Sequence, residues 1–178
     1  MIRETDTGLD IDRLAVDHGR DVFAAAFRVT GNGAVAEDIQ QNVFVRLIER
    51  PPKARIESWK SYLCAMATRA AIDELRRGQR WKRLTGPLLA ARSSPDAQPT
   101  TALDNRIRAR TLRVALGRIP RRQAECFALR FFDGLELAEI ADAMSTTSNA
   151  VSVTLNRAVR ALQHRISVIE TRSPEAES

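Results

Sequence analysis

The stretch TGPLLAARSSPDAQPTT, residues 85–101, limits what this 178-residue chain can fold into more than any other feature. Its three prolines and run of small polar residues interrupt helical periodicity that is clear on both sides, so it reads as a linker. A stretch of this length is uncommon inside one compact domain, which favours two units. The expected layout is a first domain over 9–83, a linker over 84–102 and a second domain over 103–168. No alternating strand pattern of useful length and no internal repeat interrupts the helical blocks. The fold class is therefore all-α: two small helical domains joined by a flexible linker. The tail TRSPEAES is expected to fray.

Composition narrows the function. Against 22 acidic residues stand 28 basic ones, a formal charge of +6, and the isoelectric point is near 10.3. That excess points to a polyanion, with nucleic acid ahead of a membrane surface. Cys64 and Cys126 lie far apart within apolar helical patterns and read as small core residues, not as a disulfide or a metal pair. His18 and His164 have no clustered partners, so no metal site and no cofactor are expected. Without a glycine-rich phosphate loop or a nucleophile constellation, neither an enzyme nor a small-molecule substrate is expected. Glu125, Glu139 and Asp142 take solvated or capping roles by default on amphipathic helices. The start MIRETDTGLD has no apolar signal core, and no apolar run approaches the ~18 residues of a membrane span. A cytoplasmic location is expected.

In the first block, Leu14, Val22, Phe23, Ala26 and Phe27 form an apolar stripe that ends at Gly31-Asn32-Gly33. A second helix is predicted from about Val35 to Arg50, with Ile39, Val43, Phe44, Leu47 and Ile48 inward and Pro51-Pro52 as its stop. A third begins after the N-cap Ser58 and runs to about Trp81, with Trp59, Tyr62, Leu63, Met66, Ala70 and Leu75 inward. The second block opens with a helix near Leu103–Leu116 and continues, past Ile119-Pro120, with another from Arg121 to Phe132. Leu137–Met144 and Ser148–Ile166 then flank the turn Ser145-Thr146-Thr147. Helix, tight turn and longer basic helix form a helix-turn-helix layout, which a plain helical hairpin shares.

Three segments raise the reading above a basic helical protein. AEDIQQNVFVRLIER, residues 36–50, places Asp38 and Gln41 on one face, with Phe44 and Leu47 on a neighbouring stripe. ESWKSYLCAMATRAAIDELRRGQRWKR, residues 57–83, spaces Arg69, Asp73 and Arg76 by four and three, so they share a face on which Asp73 can pair with either arginine. Arg77, Arg80, Lys82 and Arg83 extend the basic run, as suits phosphate binding. In the third segment, residues 116–162, Val151, Leu155 and Val159 point inward, leaving Asn149, Ser152, Val153, Asn156, Arg157 and Arg160 outward, where amides and arginine can read base edges.

In this order the three segments resemble the sigma factors of bacterial RNA polymerase, of the extracytoplasmic-function type. Ile-Pro-x-x-Gln, Phe-x-Leu-Arg, Asp-Gly-Leu, Glu-Ile-Ala and Leu-x-Arg-Ala carry the C-terminal part of the likeness, which spans about nine-tenths of the chain. The stretch KSYLCAMATRAAIDELRR resembles the iron-transport signalling subgroup. The resemblance implies that Asp38, Gln41, Asn42 and Phe44 dock on core RNA polymerase, Asn42 standing where the family often has an acid. It implies that Arg69, Asp73, Arg76, Arg77 and Arg80 serve the −10 region, with a flipped base held between the loop 51–58 and the third helix. Trp59 reads as core near that pocket. The helix-turn-helix would read the −35 element, and the linker would thread the polymerase. Two departures stand out: Ser145-Thr146 replaces a glycine-apolar pair, and Ser152 and Thr154 occupy positions that are often basic. The implied partners are core RNA polymerase, promoter DNA and an anti-sigma factor, commonly membrane-anchored. The alternatives are a stand-alone helix-turn-helix regulator and a sigma-like adaptor for an anti-sigma protein.

Overall fold

A computed structural model describes residues 10–85 and 101–172; most of the expected linker and the end of the tail lie outside these residues, as do the side chains of Lys82 and Arg83. The described residues form seven helices and no strand. Asp10 caps α1 (Ile11–Thr30) by accepting from the Arg13 amide at 2.9 Å. Gly31 closes it with φ 66°, its N–H donating to the Phe27 carbonyl at 2.7 Å. The Asn32 side chain then caps α2 (Gly33–Glu49) through the Val35 amide. Ser58 starts α3 (Trp59–Thr85), its hydroxyl accepting from the Ser61 amide at 3.2 Å.

The C-terminal half consists of α4 (Thr101–Leu116), α5 (Arg121–Phe131), α6 (Leu137–Ala143) and α7 (Ser148–Arg172). Pro120 precedes α5, where a missing N–H costs nothing. A capping box starts α6: Glu139 accepts from the Glu136 amide at 2.9 Å, and the Glu136 side chain accepts from the backbone in return.

Both helical units are therefore present, but they are not held apart. The long helix α3 packs on α1 and α2 from one side and on α4, α5 and α6 from the other. One apolar cluster runs from Leu14, Val22 and Leu47 through Leu63 and Ile72 to Leu116, Ile119 and Leu162. A second, around Leu129, Ile140 and Val151, includes Ala65 of α3. Small side chains make the sandwich possible: Ala65, Ala67, Thr68 and Ala71 are buried around α3.

This packing corrects several expectations. Phe27 is 42% exposed and Ile48 49% exposed, although both were assigned inward. Ile48 follows Leu47 by one residue, about 100° around the helix, and Ala36, Ile39, Val43 and Leu47 already fill the core stripe. Glu125 is buried, not solvated, and pairs with Arg121 at 3.0 Å and Arg69 at 3.5 Å. Cys64 and Cys126 are buried free thiols, as read from the sequence. Burial pushes Cys64 up to about 12 and Cys126 up to about 11, which keeps both protonated and unreactive near neutral pH.

A polar pin joins the two halves. Asp133, from the turn after α5, accepts from Arg28 of α1 at 2.7 Å and from Thr68 of α3 at 3.1 Å. Burial raises the pKa of the Asp133 carboxyl, while Thr68 and Arg28 pull it back. Its side chain is 3% exposed against 47% for Arg28, so losing the arginine strands a buried charge, while losing the acid leaves a hydrated cation. Arg28→Ala is expected to cost about 2 kcal/mol at neutral pH, and Asp133→Asn less. With a folded-state pKa above the unfolded value, Asp133 takes up a proton in the fold first as pH falls. The Arg28→Ala deficit should therefore shrink on going from pH 7 toward 5, which urea unfolding at both pH values would measure. A deficit that grows on acidification would refute the pin.

Candidate nucleic-acid and polymerase interface

Three surfaces carry the residues singled out from the sequence. On α2, Asp38, Gln41 and Asn42 are exposed, whereas Phe44 is half-buried against the core. Val45 and Ile48, 47% and 49% exposed, continue the stripe one and two turns beyond Gln41 and Asn42. Sequence reading missed both. A 38, 41/42, 45, 48/49 spacing was the signal, obscured because Val and Ile default to the core. The result is an apolar strip bordered by acid and amide groups, a surface suited to a basic amphipathic helix.

On α3, the basic residues divide into two sets. Arg77 and Arg80 are exposed; Arg77 pairs with Glu74 at 2.9 Å, one turn back. Arg69, Asp73 and Arg76 face the C-terminal half instead. Asp73 pairs with Arg121 of α5 at 2.6 Å, not with Arg69 or Arg76 as the spacing had suggested. Arg76 donates to the Ile119 carbonyl at 2.7 Å. Between the loop before α3 and α6 lies a cavity of about 310 Å³, lined by Arg55, Ser58, Ser61 and Tyr62 on one side and Glu139 and Asp142 on the other. Ser61 donates to Glu139 at 3.0 Å across its edge. Trp59, half-buried, meets Tyr62 edge-on with centroids 5.9 Å apart.

On α7, Asn149, Val153, Asn156, Arg157 and Arg160 are exposed and Ser152 half-buried, while Val151, Ala158 and Leu162 hold the helix to the core. Thr147 caps α7 through the Ala150 amide. The Thr154 hydroxyl donates to the Ala150 carbonyl at 2.7 Å, so its proton is used within the helix. Among the described residues, no cluster of three or more His, Cys, Asp or Glu could hold a metal ion, and no helix is long and apolar enough to cross a membrane.

An exposed apolar stripe on α2, a basic α3 and a helix-turn-helix thus follow one another along one chain. The sigma-70 region 2 family matches residues 14–81, and the sigma-70 region 4 family matches residues 109–162. The chain belongs to the sigma-70 family. The region 2 match lies within α1–α3, and the region 4 match runs from the second half of α4 into α7. The ECF RNA polymerase sigma factor BldN of Streptomyces coelicolor is 28% identical over 156 residues, which make up 84% of this chain and 58% of BldN. The RNA polymerase sigma factor SigV of Bacillus subtilis is 28% identical over 148 residues, covering 83% of this chain and 85% of SigV. In fold, the chain is similar to the sigma factor RpoE of Bartonella quintana, solved in complex with the anti-sigma factor NepR. That likeness has a TM-score of 0.55 at 18% identity and covers 89% of this chain and 98% of RpoE.

Within region 4, the turn of the helix-turn-helix explains one departure from the family pattern. Ser145 N–H donates to the Asp142 carbonyl and Thr146 N–H to the Ala141 carbonyl at 2.8 Å, with Ser145 at φ 51°. That is a Schellman closure with serine where glycine is easiest. The left-handed conformation costs an L-residue ~1–2 kcal/mol, partly offset by the greater unfolded freedom of glycine. Ser145→Gly is expected to stabilise the chain by about 0.5–1 kcal/mol, read from the urea midpoint at unchanged m-value. A loss of stability would show that the serine hydroxyl has a role its backbone angle does not reveal.

Proposed function

We propose that this chain is an RNA polymerase sigma factor of the extracytoplasmic-function type, which directs core polymerase to specific promoters and performs no catalysis itself. The observation that carries the reading is the order of exposed α2 stripe, basic α3 and helix-turn-helix within matched sigma-70 regions 2 and 4. On this reading the α2 face of Asp38, Gln41 and Asn42, extended by Val45 and Ile48, docks on core polymerase, with Phe44 bracing it from behind. The α3 residues Arg69, Asp73, Arg76, Arg77 and Arg80 serve the melted −10 region. Asn149, Ser152, Val153, Asn156, Arg157 and Arg160 present the −35 reading face of α7. The RpoE likeness, a structure with an anti-sigma factor bound, supports a similar restraint here. A cytoplasmic location and the iron-transport subgroup, suggested by residues 60–77, complete the proposal.

Run-off transcription on fragmented genomic DNA, with core polymerase in the presence and absence of this protein, tests it. Discrete, protein-dependent starts that share an upstream motif are expected; starts upstream of iron-transport genes would place the subgroup. Polymerase binding without any starts would favour an adaptor, and no polymerase binding a stand-alone regulator. The variants separate the surfaces. Asp38→Ala and Val45→Glu are expected to weaken polymerase binding by roughly tenfold, the scale of a disrupted interface contact. Arg77→Ala with Arg80→Ala should leave that affinity near wild type but impair open-complex formation. Equal loss of both activities would remove the α3 tail from the DNA site.

A further inference from the structure

Opposite the buried stripe of α7, one side chain is out of character. Val151, Ala158 and Leu162 are buried and hold the helix to the core, whereas Val153 is 43% exposed. Two residues amount to about 200° of helix rotation, so Val153 lies on the far side of α7 from Val151. Asn149, Asn156 and Arg160 share that side, all four falling within about 60° of rotation. Val153 belongs to neither apolar cluster, and no other large apolar side chain of α7 is exposed among the described residues. A β-branched residue at such a position lowers helix propensity and gains no burial, so the fold alone does not call for it.

We propose that Val153 is a specificity-determining residue whose exposed methyl groups pack on the 5-methyl group of a thymine in duplex DNA. This rests on the assignment of α7 as the −35 reader in the preceding subsection and adds the base that it selects. In the major groove every base edge presents hydrogen-bonding atoms, and thymine alone adds an apolar group, its methyl. Valine has no side-chain donor or acceptor, so that methyl is the one partner open to it. The neighbours suit the same kind of base pair. Asn149 stands about 6 Å before Val153 along the axis and Asn156 about 4.5 Å after it, roughly one to two base-pair steps each way. An amide matches N6 and N7 of adenine, so the stripe fits a short A·T run. Competing readers are few: the Thr154 hydroxyl donates to the Ala150 carbonyl at 2.7 Å, and Ser152 is half-buried. A protein partner fits less well, because a docking patch needs neighbouring apolar groups and Val153 stands among amides and arginines.

A random-sequence duplex library is selected on the full-length chain, captured by a terminal tag, with core polymerase present. The retained motif is resynthesised as a fluorescent duplex in which each thymine in turn is replaced by deoxyuridine. Deoxyuridine lacks the 5-methyl group and keeps every hydrogen-bonding atom. Affinities are compared for wild type, Val153→Ala and, as a control, Val16→Ala, which truncates a valine of α1 that is 82% exposed. Circular dichroism checks that each variant is folded; alanine is the better helix former at both positions.

One thymine is expected at which deoxyuridine weakens wild-type binding by about fourfold, the worth of one buried methyl group. Val153→Ala should bind the unmodified duplex more weakly and no longer distinguish thymine from deoxyuridine at that position, while Val16→Ala keeps the wild-type ratio. A purely structural role for Val153 would weaken both duplexes alike and leave the ratio intact, and that result overturns the proposal. It is overturned equally if no deoxyuridine substitution alters wild-type affinity, or if no motif is retained. Run-off transcription with the same proteins keeps the two readings apart. Protein-dependent starts without methyl dependence would leave the sigma assignment standing and remove the Val153 contact. Methyl-dependent binding without any starts would keep the contact and give it to a stand-alone regulator.

Discussion

At Ser61, Ala65, Ala67, Thr68 and Ala71, the side chains of α3 are small enough for α1 to approach on one flank and α5 and α6 on the other. Larger residues at Ala65, Ala67 or Ala71 would push one layer away, because a close-packed interior has no room to absorb them. The clusters around Leu63 and around Ile140 both reach α3, so region 2 and region 4 inherit their relative placement from this one helix. The Asp133 pin adds direction to contacts that apolar packing alone would leave free to slide. Its two acceptor oxygens, one for Arg28 and one for Thr68, tie α1, α3 and the turn after α5 to a single position.

A consequence is that the charges of α3 fall into two sets. Arg69 and Asp73 pair with Glu125 and Arg121, and Arg76 donates to the Ile119 carbonyl, so these three side chains tie α3 to the C-terminal half. Arg77 and Arg80, further along the helix, are exposed. Asp38, Gln41, Asn42, Val45 and Ile48 of α2 and Asn149, Val153, Asn156, Arg157 and Arg160 of α7 are exposed as well.

Much of this was legible along the chain. The cap at Ser58, the stop at Gly31 and the proline before α5 are local devices, and each helix begins or ends within a few residues of its expected position. The outward set on α7 followed from the inward one, because a 3.6-residue period fixes both at once. Ile48 and Phe27 were misplaced for a related reason. Apolar residues beside a filled stripe have no core left to enter, and hydrophobicity alone does not reveal when the stripe is full.

The sequence by itself determined the helices, their order, the apolar stripes and the basic run, since all of these arise from interactions between residues a few positions apart. Only the tertiary structure decided which acid meets which base. Asp73 lies within reach of Arg69 and Arg76 on its own helix, yet it pairs with Arg121, 48 residues away. Glu125 looked like a surface acid and became a buried partner of Arg69. Helix periodicity records that a face is polar. Whether water, DNA or another part of the same chain satisfies that face depends on how two helical units pack, and that packing is settled by the fit of side chains far apart in sequence.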